Sequence, residues 1–377
     1  MTSSIAIVGA GIGGLSTALV LKQKGLPVTV YESTAEIKPV GAGIVMASNA
    51  MQIFQKLGVR EKIENAGYRV SRMKITDEQL KNISTVDLAK FEQKYGVHNV
   101  AIHRADLQRI LAEEIGFQHI CLGKRLSKIE RQGAFRLTFE NGAVVLSDVV
   151  IGADGIHSTV RTQLFKSGTL RDSGQQCWRG VCEIDLPQKY RYEAYEAWGK
   201  GKRLGFVRIN EQAVYWYAVV NTGMIRSQEM DLRVLFREFH PDILAIISAT
   251  PEEQVHFSDL MDLKPIFQWQ QDNVCLIGDA AHATTPNMGQ GACQAVEDAY
   301  VIGRLLETGK PISAVFAEYE KIRIRKAHHI VHTSWTIGKA AHLENGLGIW
   351  FRNLLMRSLP QSVNNKQLEE IFDINYV

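Results

Sequence analysis

The run Ile5-Ala6-Ile7-Val8-Gly9-Ala10-Gly11-Ile12-Gly13-Gly14 decides how the chain begins to fold. Four apolar residues, three of them branched, read as a short buried strand of a parallel sheet. Glycines follow, then residues 15–24 at helical spacing, then Gly25, and then Val28-Thr29-Val30-Tyr31-Glu32 as a second strand. This is a βαβ opening. Its glycines fit G-x-G-x-x-G, and Glu32 ends the second strand eighteen residues after Gly14. Gly9 permits a tight turn, Gly11 lets backbone N–H groups approach a pyrophosphate, and Gly14 lets helix and strand pack closely; Gly13 lies between them in the same loop. The helix N-terminus offers partial positive charge to phosphates. Glu32 is placed to accept from a ribose and would repel a 2′-phosphate, so the site suits FAD or NAD and not NADP.

Two further strand ends carry punctuation of the same kind. Val149-Val150-Ile151 runs into Gly152-Ala153-Asp154-Gly155, with Ser158 and Arg161 after it. Val274-Cys275-Leu276-Ile277 runs into Gly278-Asp279-Ala280-Ala281-His282, followed by Pro286-Asn287-Met288-Gly289-Gln290-Gly291 and a helix. Between them the chain changes character. Leu204-Gly205-Phe206-Val207-Arg208-Ile209 and Val214-Tyr215-Trp216-Tyr217-Ala218-Val219-Val220 read as aromatic-rich antiparallel strands. Residues 325–358 are helical by periodicity.

With these three motifs in this order, the chain resembles the single-component FAD-dependent aromatic hydroxylases, flavoprotein monooxygenases built like para-hydroxybenzoate hydroxylase. The resemblance covers nearly the whole chain. It implies an α/β fold: a Rossmann-like FAD-binding domain with an inserted antiparallel β-sheet substrate domain and C-terminal helices. The expected FAD-binding domain takes residues 1–72, 100–172 and 266–325, the substrate sheet 73–99 and 173–265, and a helical segment 326–377. The resemblance places Asp279 on the ribityl hydroxyls, Pro286 beside the flavin ring, and the N–H groups of residues 289–291, with Gly289 and Gly291 at its ends, near the reduced ring's negative charge. It also sets Arg104, in His103-Arg104-Ala105-Asp106, against the FAD phosphates, and Asp154 in a segment serving FAD and NAD(P)H. Gly43, in Gly41-Ala42-Gly43-Ile44, flanks the flavin ring and the substrate.

In the chemistry so implied, NAD(P)H is a transient co-substrate, reduced FAD takes up O₂ as a C4a-hydroperoxide, and an electron-rich ring takes one oxygen atom. The substrate is expected to be an anionic aromatic or heteroaromatic small molecule. Arg203 and Tyr215, on two strands joined by a turn near Asn210-Glu211-Gln212, are the expected catalytic pair: Arg203 to fix an anion, Tyr215 to hydrogen-bond or relay a proton, with Tyr217 in reserve on the same face. That pair resembles the bacterial FAD-dependent urate hydroxylases and makes urate the lead candidate. Asn287 departs from the Asp those enzymes carry after the Pro. Arg161, Arg179 and His282 read at least as readily as structural residues. An FAD oxidase or reductase that inserts no oxygen, and a non-enzymatic flavin-binding sensor, remain as alternatives.

Composition narrows the rest. The 377 residues carry 43 Lys plus Arg against 40 Asp plus Glu, a net charge of +3, which gives no electrostatic footprint for nucleic acid. Five cysteines with no C-x-x-C pair argue against disulfides and against a metal site, and for a reduced, cytoplasmic setting. No apolar stretch is long enough to span a bilayer. The stretch Leu347-Gly348-Ile349-Trp350-Phe351-Arg352-Asn353-Leu354-Leu355-Met356-Arg357 reads as an amphipathic helix expected to pack on the FAD domain or another subunit, with no stable membrane association. A monomer or homodimer is expected.

Overall fold

A computed structural model describes residues 4–37, 42–225 and 231–376. The βαβ opening forms as read. Strand Ile5–Val8 is wholly buried, helix Ile12–Gln23 follows, and strand Val28–Tyr31 pairs in parallel with the first. Their sheet has six strands, in the order Gln270–Gln271, Val274–Leu276, Val149–Gly152, Ile5–Val8, Val28–Tyr31 and Ile120–Cys121. All pairings are parallel except that of the edge strand Gln270–Gln271. The three motifs therefore leave the carboxyl ends of three neighbouring strands, where open α/β sheets bind ligands.

A second sheet lies over that edge. Its seven strands run His256–Leu263, Leu170–Glu183, Ala213–Asn221, Lys202–Arg208, Glu193–Trp198, Arg72–Asp77 and Asn82–Asp87. The expected antiparallel character holds except at one junction: Glu193–Trp198 pairs in parallel with Arg72–Asp77. Those two strands are separated by a long excursion through the first sheet, so no hairpin dictates their relative direction. Two three-stranded sheets add to this, one joining Gly43–Met46, Asn99–His103 and Tyr68–Val70, the other a meander of Leu126–Gln132, Ala134–Phe139 and Val144–Ser147.

The C-terminal region consists of helices Ile312–Ala341, Gly346–Ser358 and Gln361–Phe372. The expected boundary at 325/326 falls inside the first of these, a single helix of 30 residues. No helix among the described residues is long and apolar enough to cross a membrane. Helix Gly346–Ser358 leaves its apolar residues uncovered within one chain. Its aromatic and aliphatic residues Leu347, Trp350, Phe351 and Leu354 are exposed, while Arg352 is buried. Arg352 donates to the carbonyls of Ala340 (3.1 Å) and Ala341 (3.2 Å) and lies over the Trp198 ring at 4.9 Å. The cause is the end of the preceding helix, whose last carbonyls need donors and favour a cation.

Candidate active site

The glycine loop is built by close approach. At Gly9, where φ is +105°, a Cβ would lie 2.4 Å from the Ala153 carbonyl oxygen, and at Gly14 it would lie 2.0 Å from that of Gly9. A Cβ on Gly11 would meet nothing within 4 Å. That open space, at the N-terminus of Ile12–Gln23, is where a pyrophosphate fits. Glu32 accepts from the Ala10 N–H (2.7 Å), the Thr34 N–H (2.9 Å) and the Ser33 hydroxyl (3.0 Å). Burial opposes its charge, but these hydrogen bonds outweigh burial and hold its carboxyl below the usual range. It therefore stands ionised with acceptor capacity for a ribose diol.

A cavity of about 790 Å³ lies between the two large sheets. Gly11, Gly13, Gly14, Gly43, Arg104, Asp279, Pro286, Gly289 and Gly291 all open into it. Desolvation raises the carboxyl of Asp279, with the charges of His282 and Arg104 opposing. A carboxylate and a guanidinium facing one enclosure, beside three glycine-rich turns, suit FAD: an acceptor for sugar hydroxyls and a donor for phosphate. Gly41 lies outside the described residues.

Asp154 is placed differently from expectation. Its carboxylate turns into the protein and accepts from the Ser158 hydroxyl (2.5 Å) and the N–H groups of Thr159 (2.7 Å) and Val160 (3.1 Å). It shapes its own loop, whose Ala153 and Gly155 face the cavity. Arg161 is buried and donates to the carbonyls of Ala280 (2.9 Å) and Ile156 (2.5 Å), tying the second motif to the third. His282 is also structural. Its Nε2 lies 2.7 Å from Asp298, which also accepts from the Gly278 N–H (2.9 Å) and pairs with Arg323 (2.8 Å). Arg323 reaches Glu297 as well (2.7 Å), and Glu297 accepts from Asn49 (2.6 Å). Asn49 also donates to the cavity residue Gln290 (3.0 Å). This buried charge cluster fixes the floor of the Gly278–Gly291 loop. Sequence reading assigned it no role, although Glu297-Asp298 is a charged pair in the buried stretch of helix Gly291–Leu306.

The cover sheet supplies the opposite wall. Arg179, Tyr217, Gly205 and Glu196 are direct cross-strand neighbours on four adjacent strands, so they share a face. Gly205 is the reason Tyr217 can lie across the row: a Cβ there would sit 2.3 Å from the Tyr217 Cζ. The Tyr217 hydroxyl then donates to Glu196. Burial, and next the Glu196 charge, push the Tyr217 phenol well above its ordinary value. Glu196 also accepts from Arg203 Nη1 (2.9 Å) and Trp198 Nε1 (2.6 Å). Tyr215 opens into the cavity against Gly43, where a Cβ would lie 2.5 Å from the Tyr215 Cβ. Burial raises the Tyr215 phenol too.

Arg203, expected as an anion clamp, is buried to 1% exposure behind this row. One amine holds Glu196, the other donates to Asn287, and Nε has no partner among the described residues. The position where an Asp was expected thus carries a neutral amide, and the carboxylate facing Arg203 comes from the sheet. Arg179 is the cation of the row that faces the cavity, and it donates to Ser258 (3.1 Å). Glu196 was missed by sequence reading.

Residues 2–334 match the model of the FAD binding domain family FAD_binding_3, and the chain belongs to that family. It is 36% identical over 362 residues to the aurachin C monooxygenase/isomerase of Stigmatella aurantiaca, covering 94% of each chain. It is 30% identical to the 2-heptyl-3-hydroxy-4(1H)-quinolone synthase of Pseudomonas aeruginosa, covering 98% of this chain and 97% of that one. The structure superposes with a TM-score of 0.90 at 26% identity on Klebsiella pneumoniae HpxO complexed with FAD and uric acid, over 98% of this chain and 96% of that chain. The protein is an FAD-dependent monooxygenase of the aromatic hydroxylase type.

Proposed function

We propose that this monooxygenase uses NAD(P)H and O₂ to hydroxylate a nitrogen heteroaromatic or phenolic ring that enters uncharged and loses its N–H or O–H proton in the site. FAD, when bound, supplies the redox chemistry and the activation of O₂. One oxygen atom goes to the ring and the other to water, and the nicotinamide provides the two electrons. Arg104 and Asp279 would hold the cofactor from one wall. On the other wall Tyr217 would accept the ring proton at Oη as it passes its own to Glu196, and Arg179 would stabilise the ring anion that results. The two sheets enclose this exchange and keep bulk water from it.

The observation that carries this reading is the pairing of Arg203 with Glu196. A guanidinium already neutralised by a carboxylate does not recruit an anion, and the same carboxylate accepts from Tyr217, which gives a proton relayed through that phenol a direction. Urate is a second reading, favoured by the likeness to the uric acid complex and by Arg203 and Tyr215 in the same wall. Glu196 counts against it, because it already occupies the Arg203 guanidinium that would have to meet a urate anion.

The test is oxygen uptake by FAD-loaded protein with NADH and with NADPH, in the presence of urate, hydroxybenzoates or 4(1H)-quinolones. Under ¹⁸O₂, a product heavier by one labelled oxygen, formed with little peroxide, supports the reading. Stimulation by urate alone would move the assignment to the second reading. Oxidised product without label would mean an oxidase.

A further inference from the structure

We propose that the ring site continues into an apolar subsite that takes a long hydrocarbon tail on the substrate; the inference rests on the heteroaromatic hydroxylase reading above. The cover sheet gives the direction. Beyond Glu196 the cross-strand row runs on to Ile75 and then Ser84, and the next row on the same face is Ala194, Met73 and Val86. Two strand spacings of about 4.8 Å separate Glu196 from the edge strand, a path of about 10 Å. At about 1.25 Å of advance per carbon–carbon bond in a zigzag chain, that is the reach of roughly eight carbons.

Polarity falls along this path. Past Glu196 the cavity is walled by Ile75 and Val86 from the sheet, and by Met356, Leu368 and Ile371 from the two last helices. Its polar side chains there, Ser84, Asn364 and Gln367, carry no charge. Arg352 reaches the lining, but its guanidinium is engaged by the Ala340 and Ala341 carbonyls and the Trp198 ring. Met73 and Leu355, 43% and 52% exposed, form the rim. The outward apolar residues of Gly346–Ser358 continue that surface away from the rim. A small polar ring would leave this wall facing water, whereas an alkyl chain would bury it. Each methylene moved from water into such a site is worth about fourfold in affinity.

A series of 4(1H)-quinolones bearing 2-alkyl chains from methyl to nonyl tests this, with the perturbation of the bound flavin's absorbance giving Kd and ¹⁸O incorporation giving turnover. The expected result is a Kd that falls about fourfold per methylene and levels off near the subsite's length of roughly eight carbons. Leu368→Trp, which fills the path, is expected to cut the heptyl-to-methyl affinity ratio at least tenfold, and Met356→Trp serves if that variant does not fold. Affinity independent of chain length, with the short quinolone still hydroxylated, overturns the subsite and leaves the ring reading standing. Failure of every member to perturb the flavin or take up label overturns the ring reading, and the subsite with it.

Discussion

Replacing Gly205 by alanine tests whether the geometry of the Tyr217–Glu196 pair is what the cover sheet is built to hold. The added Cβ would lie 2.3 Å from Tyr217 Cζ and 2.5 Å from its hydroxyl oxygen. Non-bonded carbons rest at about 3.5–4.0 Å, so the ring must retreat by about 1.2 Å or more. That is enough to take the hydroxyl off Glu196. Losing a hydrogen bond to a charged group is worth about 1.5–3 kcal/mol, and if it acts in the transition state the turnover falls by about 10- to 150-fold. Overpacking adds a stability cost of about 1–3 kcal/mol. Gly205 belongs to the cover sheet and not to the elements that carry the glycine loop and Asp279, so bound FAD is expected to be retained. The assay is kcat for the best ring substrate, with the flavin absorbance confirming full occupancy, in Gly205→Ala, Tyr217→Phe and the double variant. If the alanine acts through the phenol, Tyr217→Phe shows a similar loss and the double variant is little worse than either, a strongly non-additive cycle. Wild-type kcat in flavin-loaded Gly205→Ala, or losses that multiply in the double variant, would refute the reasoning.

Three further outcomes follow from the buried charges. Arg323→Ala removes the buried cation that Glu297 and Asp298 share and leaves them Lys326 and His282, at a cost of about 3–5 kcal/mol; a lowered denaturant midpoint and weaker FAD retention are expected, since Asp298 also holds the Gly278 N–H. Burial, and then the Arg203 charge, depress the His342 imidazole to about 3. The unfolded chain therefore binds more protons between that value and the usual one of about 6.5, so stability is complete above the upper limit and falls with acidification by up to about 1.4 kcal/mol per pH unit. Urea titrations from pH 7 to pH 4 should show that slope, and His342→Gln should flatten it. Glu32→Ala should lose FAD, read as the flavin-to-protein absorbance ratio. Because the Glu32 carboxyl is held low in the fold, its stabilisation is present above the ordinary carboxylate range and disappears as pH falls through its folded value.

What could be read from the sequence was what is local along the chain. Gly9 to Gly14, the strand before them and Glu32 lie within one βαβ unit, and Gly9, Gly11 and Gly14 each have a role visible from the motif; the reason for Gly13, a close approach to Ala295, is not local. Asp279 and Pro286 came with the resemblance, and both open into the cavity: Asp279 at the start of the helix that follows the strand, Pro286 in the loop after that helix. Asp154 misled because its motif position gives no direction for the side chain; three donors from its own loop turn it inward. Helix Gly346–Ser358 seats on its own chain through a face the amphipathic pattern does not reveal: the carbonyls at Ala340 and Ala341 draw in Arg352, and the apolar residues stay outward.

The substrate wall was half legible, and the half that was lost depends on register. The turn Gly199-Lys200-Gly201 between Glu193–Trp198 and Lys202–Arg208 already makes a hairpin, and in that hairpin Trp198 opposes Arg203 and Glu196 opposes Gly205. Following the register two residues further would have put a carboxylate on the same face as the expected Arg–Tyr pair. With the carboxylate counted, Arg203 ceases to be a free cation and Tyr217, not Tyr215, becomes the phenol with a proton acceptor. No local signal announces that Arg72–Asp77 joins Glu193–Trp198 in parallel across 121 positions. Yet it is this pairing that extends the wall past Glu196 toward Ile75 and Val86. On the proposed reading, the chemistry of the ring is set by a hairpin of neighbours, and the reach of the pocket by a contact that only the folded chain creates.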